Sequence, residues 1–219
     1  MHQKRINIPK IWPIPRKGTK YLAVASHAHN KGIPLLFILR ELLGIARTKK
    51  EVRYILLNSD VKVNNKVRKS EKFPVQFFDT IQLEKLNKNY RIGIEHNKFK
   101  LEEISAKEAN KKIVKISGKK ILSKGQVQMN LEDGQNFLLN EKSEKFAVGD
   151  SALLNTKEKK IEKILQLNKN ANVEVISGKH SGEKGKLKEI VGEGRKKKYI
   201  IKLKDKEVGL PFRTLLVLE

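Results

Sequence analysis

The stretch TKKEVRYILLNSDVKVNNKV, Thr48–Val67, changes its period halfway along. In the first half, Val52, Ile55 and Leu56 fall on one stripe of a 3.6-residue helix. Thr48 and Glu51 have the spacing of a capping box, in which each side chain bonds the other's backbone N–H. Arg47, Lys49, Lys50 and Arg53 fall on the opposite side, and Asn58 can take the left-handed conformation that would stop the helix. In the second half Val61 and Val63 alternate, Asn64-Asn65 intervenes, and Val67 follows. Asparagine tolerates positive φ, so this pair suits a type I′ hairpin. A basic helix face followed at once by a basic hairpin is the unit around which the rest is organised.

Upstream, Pro34 is a favourable first helical residue, Leu35, Leu36, Leu39, Leu42 and Leu43 are spaced for one helix face, and Gly44 fits a C-cap. Downstream, FFDTIQLEKL and YRIGIE read as strands. Residues 33–97 are therefore expected to form helix, helix, hairpin and strand. Residues 98–170 read as a β-rich module of short alternating runs, with Asp133-Gly134 as a hairpin turn and SAKEANKKI as a short helix. NKNAN marks a boundary, and residues 171–219 supply five more short strands, the pattern of a small barrel. The segment 1–32 is an arm: Pro9, Pro13 and Pro15 forbid a helix. The expected fold class is thus α+β in several modules: extended arm, small αα-hairpin/β domain, central β-rich domain and C-terminal barrel.

Charge narrows the function. The chain of 219 residues carries 48 Lys and Arg against 24 Asp and Glu, a net +24 that calls for an anionic partner. Its longest uncharged apolar run, GIPLLFIL, is too short to cross a bilayer, and no basic amphipathic helix with a wide apolar face is apparent, so no membrane partner is expected. MHQKRINIPKIW has no apolar core of a secretory leader, and cysteine is absent. A cytoplasmic protein fits these features. No carboxylate occurs from Met1 to Arg40, where eight residues are Lys or Arg. Such an arm is expected to lie along phosphate, and to be disordered until it does so.

A second cationic element lies at VEVISGKHSGEKGKLKEI, Val173–Ile190. Gly178, Gly182 and Gly185 let the backbone approach a partner closely, and Lys179, His180 and Lys184 make that partner anionic. A phosphate-binding P-loop is excluded, because Glu183 stands where its second glycine belongs and no helix follows. His27 and His29 would share one face of a strand, but no further ligands lie near. No metal, cofactor or catalytic residue is expected.

The order strand, Gly178, Lys179, Gly182, Gly185, Leu187 resembles the KOW motif of small SH3-like barrels in RNA-associated proteins. LRELLGIARTKKEVRYILLNSDVKVNNKV resembles the RNA-binding domain named after bacterial small-subunit ribosomal protein four. Together with KRINIPKIWPI, KFPVQFFDTIQLEK and PFRTLLVLE, the module order is similar to the archaeal and eukaryotic ribosomal family S-four-e. That family often runs on in a basic tail, whereas this sequence ends at Glu219.

The resemblance implies a structural constituent of the small ribosomal subunit, with small-subunit rRNA and neighbouring ribosomal proteins as partners. It implies RNA contacts at Arg47, Thr48, Lys49, Lys50 and Arg53 on the helix, and at Lys62, Asn64, Asn65, Lys66 and Arg68 on the hairpin. Arm candidates are Lys4, Arg5, Lys10, Trp12, Arg16, Lys17, Lys20, His27 and His29, with Arg40 beyond them. Lys179, His180, Lys184, Lys186, Arg195, Lys196, Lys197, Lys198 and Arg213 complete the set. The alternatives are a pseudouridine-synthase-like enzyme, which would need an Arg-Leu-Asp motif that this sequence lacks, and a KOW-type transcription or RNA-binding factor.

Overall fold

The structure is a computed structural model describing residues 2–29, 31–122, 125–140, 145–192, 197–203 and 206–219. Arg5 organises its beginning. The guanidinium donates to the Thr19 carbonyl (2.8 Å), the Pro15 carbonyl (2.7 Å) and Thr19 Oγ1 (2.9 Å). Gly18, at φ +136°, lies against that guanidinium, where a Cβ would come within 2.9 Å of Cζ. These bonds close a loop between β1 (Gln3–Lys4) and its antiparallel partner β2 (Tyr21–Leu22). The Phe99 N–H donates to the Ile11 carbonyl, and Trp12 is 4% exposed with its ring tilted against Phe37. The arm expected to be disordered is therefore folded back, because one arginine satisfies carbonyls that the prolines leave without regular partners.

After β3 (Ile33–Pro34), helix α1 (Leu35–Phe37) passes directly into a π-helical turn at Ile38–Leu42. Pro34 stands at the N-cap with ψ 139°, not inside the helix. Residues 35–39 are all buried, and the exposed side opens only at Arg40 and Glu41, so the segment departs from the expected one-sided stripe over its first turn. Then follow α2 (Lys49–Leu57), β4 (Val61–Val63), β5 (Lys66–Val67), β6 (Pro74–Val75), β7 (Thr80–Leu83), β8 (Lys88–Glu95) and β9 (Lys98–Ile104). Strand β3 pairs with β6, and the others form a sheet of order β5-β4-β7-β8-β9. The expected boundary at 97/98 runs through the β8–β9 hairpin, which pairs from Asn89↔Ile104 to Glu95↔Lys98. Ser59, at φ +62°, supplies the left-handed residue after α2, while Asn58 stays at φ −70°.

A compact unit ends at Lys112, and a second spans Ile113–Glu219. The predicted helix in SAKEANKKI is only a 3-10 turn at Glu108–Asn110. The described elements of the second unit are strands and a 3-10 turn at Phe212–Thr214. One sheet has the order β12-β11-β10-β13-β14, from β10 (Lys111–Ile121), β11 (Gln126–Leu131), β12 (Asn136–Asn140), β13 (Ser151–Asn155) and β14 (Lys160–Leu165). The other, of order β18-β17-β16-β15-β19, uses β15 (Asn172–Val175), β16 (Lys184–Val191), β17 (Lys198–Lys202), β18 (Glu207–Leu210) and β19 (Leu215–Val217). Alternating apolar residues build the two cores, one around Ile116, Met129 and Leu154, the other around Val173, Leu187, Ile201 and Leu215. Buried polar groups join the sheets: Lys115 Nζ donates to the Phe212 carbonyl and, at 2.8 Å, to that of Leu215, and the Val217 N–H donates to Ser151 Oγ. Burial lowers the Lys115 ammonium to about 8.

Candidate nucleic-acid interface

Helix α2 starts with the expected capping box. The Glu51 N–H donates to Thr48 Oγ1 at 3.3 Å, and Glu51 Oε2 accepts from the backbone N–H groups of Arg47 (2.8 Å) and Thr48 (3.5 Å). The bond from Arg47, followed by that from the Thr48 hydroxyl, holds the Glu51 carboxyl below its ordinary range. The Thr48 side chain is thus committed as a cap. Lys49 and Arg53 converge on Glu71, which is 5% exposed. Lys49 Nζ lies 3.0 Å from Oε1, and Arg53 donates from Nε at 2.8 Å and from Nη2 at 3.1 Å. Burial pushes the Glu71 carboxyl up, but the bonds from Arg53 and Lys49 outweigh it and bring it down; the bond to Glu71 raises Arg53 in turn. The helix face expected to be short of acids has one threaded beneath it. Arg47 and Lys50 remain exposed.

The hairpin after α2 has Asn64 at φ +50° and Asn65 at φ +60°, the two positive values that a type I′ turn needs. Both amides are engaged inside the protein: Asn64 Nδ2 donates to Asp79 (2.8 Å), Asn64 Oδ1 accepts the Thr80 N–H (3.0 Å), and Asn65 Nδ2 donates to Asn110 (2.9 Å). Asp79 in turn binds Lys112 Nζ at 2.7 Å, with both side chains about 5% exposed or less. Lys62 pairs with Glu84, and the Arg68 guanidinium covers the Phe73 ring at 4.1 Å. Only Lys66 of the five hairpin candidates is exposed.

The loop between β15 and β16 bonds itself. Gly182 N–H donates to the Val175 carbonyl (2.8 Å), Ser181 Oγ to that of Ile176 (2.8 Å), and His180 Nδ1 lies 3.1 Å from Glu183 Oε1. Gly182 is thus not offering its N–H to an anion. Gly185 is needed for packing: a Cβ there would meet the Lys202 carbonyl oxygen at 2.6 Å and Ile201 Cγ2 at 2.8 Å. What the loop and the start of β16 display outward is Lys179, Lys184 and Lys186, all exposed.

Of the remaining candidates, Lys4, Lys10, Arg16, Lys17, Lys20, His29, Lys197, Lys198 and Arg213 are exposed. Arg195 and Lys196 lie outside the described residues. One expectation needs correcting: His27 and His29 are not on a strand, because Ala28 sits at φ +48°. Arg5 is bonded within the arm, and Trp12 packs against Phe37 with its Nε1–H unpartnered. Arg40 pairs with Glu41 at 2.8 Å. Sequence reading missed Glu71 and the β8–β9 turn, His96-Asn97-Lys98, which adjoins the arm through the Phe99–Ile11 bond. The turn was legible as a break between two alternating runs; the partner of Lys49 and Arg53 left no periodic signal. Among the described residues, no group of three or more His, Cys, Asp or Glu could hold a metal ion, and no helix is long and apolar enough to cross a membrane.

The model of the ribosomal family S4e matches residues 86–161. The chain is 38% identical over 193 residues to the small ribosomal subunit protein eS4 of Methanosphaera stadtmanae, covering 86% of this chain and 79% of that one. It is 39% identical to the eS4 protein of Methanocella arvoryzae (86% and 80% covered) and 33% identical to that of Desulfurococcus amylolyticus (98% and 89%). The crystal structure of the 30S ribosomal protein S4e from Thermoplasma acidophilum superposes with a TM-score of 0.74 at 23% identity, covering 86% of this chain and 95% of that one. That likeness is one of fold.

Proposed function

As the chain belongs to the ribosomal S4e family, we propose that it is a structural constituent of the small ribosomal subunit, binding folded rRNA by charge neutralisation and fit of shape. It is not an enzyme. The observation that carries the reading is the 38% identity to a named small-subunit protein over 79% of that protein's length. The net charge of +24 supplies the physics, since lysines that displace counterions from rRNA gain what they lose in mutual repulsion. Lysine outnumbers arginine, 39 to 9, so most contacts are point charges and not bidentate forks. The pseudouridine-synthase and transcription-factor readings gain no support from these relatives.

The finer assignments rest on this reading. Residues 1–32 act as a basic arm, those from 33 through the β8–β9 hairpin as an S-four-type RNA-binding domain, those from there to 170 as a central β-rich domain and 171–219 as an SH3-like KOW barrel. The closely packed Gly185 and the exposed Lys179, Lys184 and Lys186 support the last of these. Exposed Arg47, Lys50 and Lys66 support the second. The partners are small-subunit rRNA and adjoining ribosomal proteins in the cytoplasmic ribosome. Gently lysed cells test this: the protein is expected to sediment with small subunits in low salt. Finding it mainly free of ribosomes overturns the proposal.

A further inference from the structure

Between the arm loop and the β8–β9 turn lies a cleft of about 510 Å³. We propose that it takes one unstacked nucleotide of single-stranded RNA. The inference rests on the rRNA-binding reading and adds a site to it.

The chemistry of the walls selects the occupant. Lys10, Arg16 and Lys98 line the cleft, and among the described residues no carboxylate does, so an anion is favoured. Ile8, Pro9, Ile14 and Pro15 form apolar walls. A bare phosphate or polyphosphate gains nothing from them, whereas a nucleobase buries its faces there. The volume is within the range of small-ligand sites, about 300–1,000 Å³, and excludes a duplex. His96 and Asn97, held at φ +49° and +60°, place an imidazole and an amide at the rim. An amide both donates and accepts, as recognition of a base edge or a 2′-hydroxyl requires. Trp12, also in the lining, has its Nε1–H buried without a hydrogen-bond partner, a donor that an entering acceptor would satisfy. The three bonds of Arg5 and the Ile11–Phe99 bond set the cleft in place beforehand, so little ordering is left to oppose binding.

Trp12 is the chain's single tryptophan, so its fluorescence reports on the cleft directly. The full-length protein is titrated with a single-stranded oligoadenylate, an RNA duplex of equal charge, and polyphosphate. The single strand is expected to change the emission saturably, and the other two to leave it unchanged. Lys10→Ala with Lys98→Ala is expected to weaken the response about tenfold through two lost phosphate contacts. Asn97→Asp, which keeps a residue tolerant of positive φ but puts a carboxylate at the rim, should weaken it comparably and covers the case of a double variant that misfolds. Lys157→Ala with Lys169→Ala, exposed lysines outside every surface assigned to RNA, should keep the emission change. An equal response to polyphosphate or duplex overturns the proposal, as does unaltered affinity in a folded Lys10/Lys98 variant or in Asn97→Asp. If the protein binds rRNA with steep salt dependence while Trp12 stays silent, the cleft assignment fails and the ribosomal reading stands. If rRNA binding is itself absent, both fail.

Discussion

Lys49 and Arg53 on α2 share the buried Glu71, whereas Lys179, Lys184 and Lys186 stand exposed around a loop braced by internal bonds. Both surfaces are basic, yet their cations do different work. Those on the helix anchor the segment carrying Glu71, whose carbonyl also accepts the Leu36 N–H, so they hold α2 against the start of the domain. Their field is partly cancelled there. The loop lysines have no carboxylate at ion-pair distance among the described residues, and their charge is available to phosphate. A cation over a buried acid fixes structure; under the proposed function, the exposed, unpaired lysines serve a partner.

The comparison is sharpest where the tied cation is deepest. Lys112→Met leaves Asp79 buried without its ammonium, and is expected to cost about 3 kcal/mol in urea denaturation. Lys115→Met should be close to neutral at pH 7, because lost bonds to Phe212 and Leu215 are offset by removal of a buried charge. Equal costs for the two would break the distinction. Gly185→Ala drives a Cβ against backbone and should cost about 2 kcal/mol. Gly178→Ala has open space, and only its φ of +101° opposes it, so its loss should be nearer 1 kcal/mol.

Lys115 also gives a signature in pH. Its folded value of about 8 lies below the ordinary 10.5, so the unfolded chain holds more protons between those values. Stability should therefore rise from pH 8 towards 10, by about 2 kcal/mol at most, and the Lys115→Met variant should flatten that rise. A wild-type curve without the rise would contradict the burial argument.

Effects on RNA are read as ratios of affinity. The triple change Lys179→Ala, Lys184→Ala, Lys186→Ala is expected to weaken binding to rRNA fragments about fifteenfold, against about threefold for Lys49→Ala with Arg53→Ala. Smallest is Glu71→Gln, which frees Lys49 and Arg53: filter binding should show about twofold tighter rRNA association at low salt, with a lowered Tm. Weaker binding would mean that the Glu71 contacts shape the RNA surface directly.

Elements governed by neighbours in sequence were legible beforehand. Thr48 and Glu51 announced the start of α2, and Asn64-Asn65 the hairpin, because caps and type I′ turns depend on residues three or fewer apart. The strands after residue 98 were readable from their alternation. What escaped depends on distant partners. Nothing in KKEVR reveals Glu71 eighteen residues beyond Arg53, and nothing in the proline-rich arm reveals that Arg5 gathers Pro15 and Thr19. The π turn at Ile38–Leu42 escaped because its apolar spacing, Leu39, Leu42 and Leu43, fits an ordinary α-helix equally well. The candidate site was legible as a charge and a set of lysines; which of them face solvent was decided by tertiary contacts.

The most direct test is the salt dependence of binding to small-subunit rRNA. The logarithm of affinity should fall linearly with the logarithm of salt, with a slope steeper than about −3, and the triple loop variant should be shallower by about 2. A slope near zero, or one that the loop variant leaves unchanged, would contradict the account.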